Sequence, residues 1–241
     1  MADAPEISVV VPVFDEEGAA AGLAREIAAA FAGADYEMIF VDDASRDRTR
    51  EVLTGLKAEI PQLRVLAHRA NSGQSRAFRT GVLGARGDII VTLDGAGQND
   101  PADAPRLVAA LKAGPPTLAM VGGERVKRQD SQAKKVASKI GNGVRKALLK
   151  DQANDTGCGL KAFRREVFLR LPYFDHIHRY LPALMLREGY EVAFQPVNHR
   201  HRETGRSKYT NLGRLVASLS DLFGVVWLRS RARLPGAIDE L

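Results

Sequence analysis

Asp88-Ile-Ile-Val-Thr-Leu-Asp-Gly-Ala-Gly-Gln-Asn-Asp-Pro101 is the stretch around which the rest of the chain is organised. Ile89 to Leu93 is a short, β-branched apolar run with the length of a buried parallel strand. It stops on a carboxylate, Asp94, with glycines at 95 and 97. A carboxylate at the C-terminal end of a buried strand has no obvious packing role, and it stands where open α/β sheets bind ligands. The glycines let backbone approach a ligand closely. Gln98 and Asp100 add oxygen atoms, and Pro101 restarts the chain as a helix with Asp100 as its N-cap. A plain strand–turn–helix corner accounts for this stretch alone equally well.

Moving outward, Ile7 to Val13 reads as a strand that runs into Phe14-Asp15-Glu16-Glu17. An alanine-rich helix over 18–31 follows. Tyr36 to Val41 is a second strand, ending on Asp42-Asp43-Ala44-Ser45, with Ser45 placed to cap a helix over 50–60. Leu63 to Ala67 is a third strand, and a loop at 68–74 leads to a helix over 75–85. The pattern is β-α-β-α-β-α-β with short connections, which predicts an α/β fold: a mostly parallel sheet with helices on both faces. Three strands end on carboxylates, Asp15/Glu16, Asp42/Asp43 and Asp94. On one sheet edge they would form an acidic cleft whose repulsion a divalent cation, or the donor groups of a base and ribose, would relieve.

Two common nucleotide sites are excluded. No G-x-G-x-x-G follows Val13, and the spaced glycines at 81, 84 and 87 fall within and after a helix. No P-loop is present. Past Pro101, a helix over 105–112 leads to a strand over 117–121, then to Gly122-Gly123-Glu124-Arg125 and a basic helix over 131–150. Asp155-Thr-Gly-Cys-Gly-Leu-Lys-Ala-Phe-Arg164 reads as a tight turn. Residues 168–173 and a helix over 180–188 read as packing elements, and Tyr190 to Val197 as the last strand. A basic loop, His199 to Lys208, follows.

The chain has 241 residues, 45% hydrophobic and 27% charged, which suits one globular domain with an appendage. A single cysteine, Cys158, excludes a disulfide framework and a multi-cysteine zinc site. The expected compartment is the cytosol or a cytosolic membrane face. Charge is uneven: residues 1–60 hold thirteen acids and five Lys/Arg, whereas 125–150 hold nine Lys/Arg and one acid. Such segregation fits a phosphate-bearing substrate, an anionic membrane surface or nucleic acid, although solvated helix faces explain any one cluster as well. The nucleic-acid reading has no aromatic interleaving or motif behind it. Asn211 to Leu228 has apolar residues at helical spacing, interrupted by Arg214 and Asp221, then Trp227 and arginines at 229, 231 and 233. It predicts an amphipathic helix on a membrane surface rather than a span, the competing reading being a helix docked on its own domain or on another subunit.

Taken together, these residues resemble the family 2 glycosyltransferases of the GT-A fold, and within them the dolichol-phosphate mannose synthase branch with its bacterial polyprenyl-phosphate sugar transferases. The resemblance rests on Val9-Val-Val-Pro-Val-Phe-Asp-Glu16, Phe40-Val-Asp-Asp-Ala-Ser45, Asn71-Ser-Gly-Gln74, Leu93-Asp-Gly-Ala-Gly-Gln98, Asp155 to Arg164, and Arg202-Glu-Thr-Gly-Arg-Ser-Lys208. Any one is weak; six in family order are specific. The resemblance implies a GT-A domain over 1–208 and an amphipathic tail over 209–241. It implies transfer of a sugar, with inversion, from a nucleoside diphosphate sugar to a polyprenyl phosphate in the bacterial cell envelope. The enzyme would sit peripherally on the cytoplasmic face of the inner membrane, use Mg2+ or Mn2+, and prefer a uridine donor; a homo-oligomer stays open.

Carried over by position, Pro12, Phe14, Glu16, Asp42, Asp43, Gly73, Gly95, Ala96 and Arg125 would hold the nucleotide sugar. Asp94, Asp155, Arg202 and Lys208 would serve the chemistry. Arg200, Arg202, Ser207 and Lys208 would meet the acceptor phosphate, and Asp94 with Gln98 the metal. One departure stands out: the family's Asp-x-Asp begins at Asp94, but its second aspartate is Ala96 here. The resemblance therefore implies impaired chemistry with retained binding. Ala96 leaves three accounts open: an introduced substitution, a naturally weak homologue, or a site rebuilt on Asp94, Gln98 and water. A transferase with another lipid or glycan acceptor, or a non-catalytic nucleotide-sugar module, is the alternative.

Overall fold

A computed structural model of the chain describes residues 4–126, 143, 145–151, 153–200 and 211–234. Its elements run β1 (Ile7–Val13), α1 (Glu17–Ala30), β2 (Tyr36–Asp42), α2 (Thr49–Gly55), β3 (Leu63–Ala67), α3 (Gln74–Gly84) and β4 (Ile89–Thr92). Then come α4 (Ala104–Ala113), β5 (Leu118–Arg125), helical residues 145–149 as α5, β6 (Lys161–Arg164), α6 (Arg165–Leu169), α7 (Leu181–Arg187), β7 (Glu191–Val197) and α8 (Asn211–Ser230). The strands form one seven-stranded sheet in the order β3-β2-β1-β4-β6-β5-β7. All neighbouring pairs are parallel except those of β6, which runs antiparallel to β4 and β5.

The apolar strands are sorted by their period of two. Val9, Val11, Val13, Met38 and Phe40 pack one face against Leu23 and Ile27 of α1, Leu53 of α2 and Leu107 and Leu111 of α4. Val10, Ile39, Val41, Ile90, Met120 and Phe163 face the other way, onto Phe78 and Val82 of α3, Phe168 of α6, Leu184 of α7 and Leu222 and Val225 of α8. Both faces are covered, so β1 and β2 carry apolar side chains at almost every position. The exceptions are Ser8, Glu37 and the terminal Asp42; Glu37 is buried and held by Ser8 Oγ at 2.8 Å, Arg64 Nη1 at 2.6 Å and the Arg86 N–H at 2.7 Å.

Three expectations need correction. The turn read over 155–164 ends in a strand: Lys161 to Arg164 insert between β4 and β5, pairing Phe163 with Ile90 and Met120. A four-residue strand flanked by charges has no local signature, because its stability comes from pairing on both sides. β5 does not stop at Val121; pairing with β7 carries it through Gly122 and Gly123 to Arg125. Ser45 does not cap α2. Its hydroxyl accepts the Asp15 N–H at 2.9 Å, and Asp47 Oδ1 instead takes the Thr49 N–H. Asp100 is the N-cap expected, accepting from the Ala102 N–H with Pro101 next to it. Most of the basic helix read over 131–150, and the loop at 201–210, lie outside the described residues.

The tail helix is docked along one face. Leu222 and Val225 are buried, Asp221 pairs with His176 at 2.8 Å, and Arg187 Nε reaches the Leu228 carbonyl. Another face stays open, with Leu219, Phe223 and Trp227 exposed by 47%, 67% and 62%. Among the described residues no helix is long and apolar enough to cross a membrane.

Candidate active site

Because β6 alone is antiparallel, the C-terminal ends of β1 to β5 and β7 share one edge of the sheet with the start of β6. A cleft of about 710 Å³ opens there, within the range of small-molecule sites. Pro12 at the end of β1, Phe14 and Glu16 after it, Asp43 after β2, Asn71 and Gly73 before α3, Gln74 at its start, Asp94, Gly95, Ala96 and Gln98 after β4, and Thr156 to Gly159 with Lys161 line it, as do His178, Arg179 and Leu181.

The expected acidic cleft is largely neutralised by the protein itself. Asp42 does not line it: its carboxylate takes Arg50 Nε at 2.8 Å and the Ser45 N–H at 3.0 Å. Asp43 lines the cleft while holding its neighbour loop, accepting from the Ser72 and Gly73 N–H groups at 2.9 and 2.8 Å and meeting His68 Nδ1 at 2.7 Å. Asp15, at φ 50°, accepts the Arg46 N–H at 2.7 Å and so ties the β1 and β2 loops together. Strand-end carboxylates here organise backbone as much as they offer charge.

Asp94 sits at the floor. Its Oδ1 accepts from Gln74 Nε2 at 3.0 Å, and its N–H donates to Asn99 Oδ1 at 3.2 Å. Burial pushes its carboxyl above the usual range, while Lys161, Arg125, Gln74 and His199 pull the other way. The carboxyl lies directly on Gly159: a Cβ there would stand 2.3 Å from Asp94 Cγ. Gly95 is constrained similarly, since a Cβ would meet the Pro12 carbonyl oxygen at 2.7 Å. Thr92 Oγ1 donates to the Gly159 carbonyl at 2.7 Å and fixes the turn beneath Asp94.

Arg125 and Asp155 form a two-pronged ion pair, Nε to Oδ2 at 2.6 Å and Nη2 to Oδ1 at 2.7 Å. Burial works against the Arg125 charge, and Asp155 more than restores it. The pair stands behind the Thr156–Gly159 wall. Arg200 points elsewhere, its guanidinium bridging Glu26 at 2.6 Å and Asp100 at 2.8 Å. That engagement, rather than an open acceptor site, is what the structure gives it. Arg202, Ser207 and Lys208 lie outside the described residues.

Sequence reasoning assigned no role to Gln74, Lys161, His178 or Arg179. Gln74 and Lys161 lie inside stretches that carried the resemblance, and a charge between Leu160 and Ala162 was a visible signal. His178 gave none. It is buried, its Nδ1 lies 2.7 Å from Ser75 Oγ, and burial with Arg179, Lys161 and His176 nearby holds its imidazole well below the usual range.

Among the described residues no group of three or more His, Cys, Asp and Glu side chains is placed to hold a metal ion. Asp94 offers one anionic oxygen donor group, Gln98 an amide oxygen, and Ala96 nothing. Mg2+ and its relatives are commonly held by one or two carboxylates plus substrate phosphates. The donor set therefore fits an ion that arrives with a phosphorylated ligand better than one resident in the protein.

The chain matches Glycosyl transferase family 2 over residues 8–171 and belongs to that family. It is 35% identical over 220 residues to the undecaprenyl-phosphate 4-deoxy-4-formamido-L-arabinose transferase of Edwardsiella ictaluri (strain 93-146), and 35% over 224 residues to that of Enterobacter sp. (strain 638). Each match covers 90% of this chain and 66% of the relative's length. Among solved structures it resembles glucosyl-3-phosphoglycerate synthase from Mycobacterium tuberculosis in complex with Mn2+, UDP and glucosyl-3-phosphoglycerate. The TM-score is 0.70 at 19% identity, over 96% of this chain and 82% of that one. A mannosyltransferase from Pyrobaculum calidifontis in complex with GDP-Man and Mn2+ aligns at TM-score 0.64 and 22% identity, over 86% of this chain and 59% of its own. The fold is thus that of the GT-A glycosyltransferases.

Proposed function

We propose that the chain is an inverting glycosyltransferase that moves a sugar from a nucleoside diphosphate sugar, UDP-linked by preference, to a polyprenyl phosphate lipid. The observation that carries this reading is one cleft lined by Asp43, Asp94 and Lys161 together with glycine-rich backbone. Its size suits a nucleoside diphosphate sugar, and the relatives' names supply the lipid phosphate as acceptor.

In this reading Pro12, Phe14, Glu16 and Asp43 receive base and ribose, and Gly95 lets the β4 loop lie close to β1 beside them. An acceptor phosphate oxygen attacks the anomeric carbon from the face opposite the diphosphate. The bond from that carbon to the diphosphate oxygen breaks, and the nucleoside diphosphate leaves with the electron pair. A phosphate monoester is already mostly anionic at neutral pH, its second pKa being near ~6. Positioning and nearby cations therefore matter more than a general base. Asp155, locked to Arg125, orients the wall rather than taking a proton. Asp94 and Gln98 would hold a divalent cation, which when bound offsets charge on the leaving diphosphate. Ala96 leaves that hold weaker.

The open face of α8 supports peripheral attachment to an anionic membrane surface: Leu219, Phe223 and Trp227 are exposed, and Arg231 and Arg233 follow the helix in sequence. A thermal-shift panel of nucleoside diphosphate sugars with Mn2+ or Mg2+ tests the reading, followed by transfer to undecaprenyl phosphate. Stabilisation by a UDP-sugar that Asp43→Ala abolishes is the expected result. No stabilisation by any donor would refute it.

A further inference from the structure

We propose that Lys161 anchors a substrate phosphate at the floor of the cleft. This rests on the glycosyltransferase reading and names a residue within it. Lys161 opens β6, where it pairs with Thr92 on one side and Gly122 on the other. It is therefore in the middle of the sheet, only 5% exposed, and its ammonium lies inside rather than reaching bulk solvent.

Packing gives no reason for a cation there. The next two residues of β6, Ala162 and Phe163, belong to the apolar cores, and a methionine would fill the same volume. An ammonium has three donors, and among the described residues one hydrogen bond is made, to the Cys158 carbonyl oxygen. Of the two carboxylates that attract it, Asp155 is engaged by both prongs of Arg125, and Asp94 accepts from Gln74. A buried charge kept with donors to spare is costly unless an anion meets it. A compact ammonium suits a phosphate oxygen, to which it binds as a point charge. With Ala96 in place of a carboxylate, more of the phosphate charge falls to cations of the protein.

The phosphate could be the donor's diphosphate or the lipid's monophosphate, and calorimetry on the full chain in EDTA separates them. Uridine is compared with UDP, guanosine with GDP, and farnesol with farnesyl phosphate, for wild type and Lys161→Met. Lys161→Met should weaken one phosphorylated ligand by about tenfold or more, with its unphosphorylated partner unchanged. Loss confined to a nucleotide assigns the donor diphosphate; loss confined to farnesyl phosphate assigns the acceptor. Unchanged affinity for every phosphorylated ligand overturns the proposal and leaves Lys161 as a clamp on the Cys158 carbonyl. If the variant does not fold, labelling of wild type decides. The phosphorylated ligand, and not its partner, should protect Lys161 from a small amine reagent read by peptide mass spectrometry, and equal labelling overturns it. Wild type that binds no nucleotide in EDTA or with Mn2+ would refute the functional reading itself, and this inference with it.

Discussion

Gly159→Ala strikes the contact on which the cleft floor is built. A Cβ at this position would stand 2.3, 2.4 and 2.5 Å from the three carboxyl atoms of Asp94. Ordinary carbon contacts begin near ~3.5 Å, so the carboxyl must retreat by about 1 Å. It has little freedom to do so. Gln74 holds its Oδ1, the Asp94 N–H is fixed on Asn99, and Thr92 pins the Gly159 carbonyl from beneath. Overpacking of this kind costs about 1–3 kcal/mol. The larger effect should fall on the reaction, because a misplacement of ~1 Å commonly costs on the order of 100-fold in rate. In the proposed reading base and ribose are held from the loops after β1 and β2, so nucleotide affinity should change little. Transfer to undecaprenyl phosphate, nucleotide calorimetry and thermal unfolding together read these effects. Gly22→Ala is the control: nothing lies within 4 Å of a Cβ there, and a helix-interior exchange should stabilise by roughly 0.5–1 kcal/mol. Wild-type turnover in Gly159→Ala would show that Asp94 need not occupy this position, and would refute the argument.

Ala96→Asp should raise turnover by on the order of 100-fold, the usual size of one charge-bearing transition-state contact, and should lower the Mn2+ concentration needed. No gain at saturating metal would show that position 96 does not limit the chemistry. Glu37→Gln should destabilise by about 2 kcal/mol at neutral pH, since it removes the charge from its hydrogen bonds with the partly exposed Arg64 and Arg86. Burial raises the Glu37 carboxyl, but hydrogen bonds from Arg64, the Arg86 N–H and side chain, and Ser8 outweigh it and hold it low. Its contribution is therefore fully present above about pH 4.3, the unfolded value, and is lost as pH falls through the lower folded value. The Tm gap between wild type and variant should close on acidification; a pH-independent gap would remove the charge from the account. Phe223→Ser combined with Trp227→Ser should abolish flotation with anionic vesicles while nucleotide binding persists, and unchanged flotation would return α8 to a purely structural role.

The alternation of strands and helices through Pro101 was legible from residue order, because each of those strands is an apolar run closed by polar or glycine-rich turns. The sequence also placed Asp94 at the C-terminal edge of the parallel strands, since in a parallel sheet the strand's C-terminal end and the following turn are read directly from order. The Asp100 cap was legible for the same local reason. Tertiary structure decided what local order cannot encode. β6 exists because β4 and β5, both more than 30 residues earlier in the chain, pair with it from its two sides, and its reversed direction carries the 155–161 turn back to the cleft. Which carboxylates remain available was also a tertiary matter. Asp42 and Asp43 are neighbours in sequence, yet Arg50 removes one from the cleft while backbone N–H groups hold the other within it. His178 and Lys161 come from separate segments and line one cleft only because the turn before α7 lies over the end of the sheet where β6 begins. Charge in a sequence has a position but no partner, and folding assigns the partner.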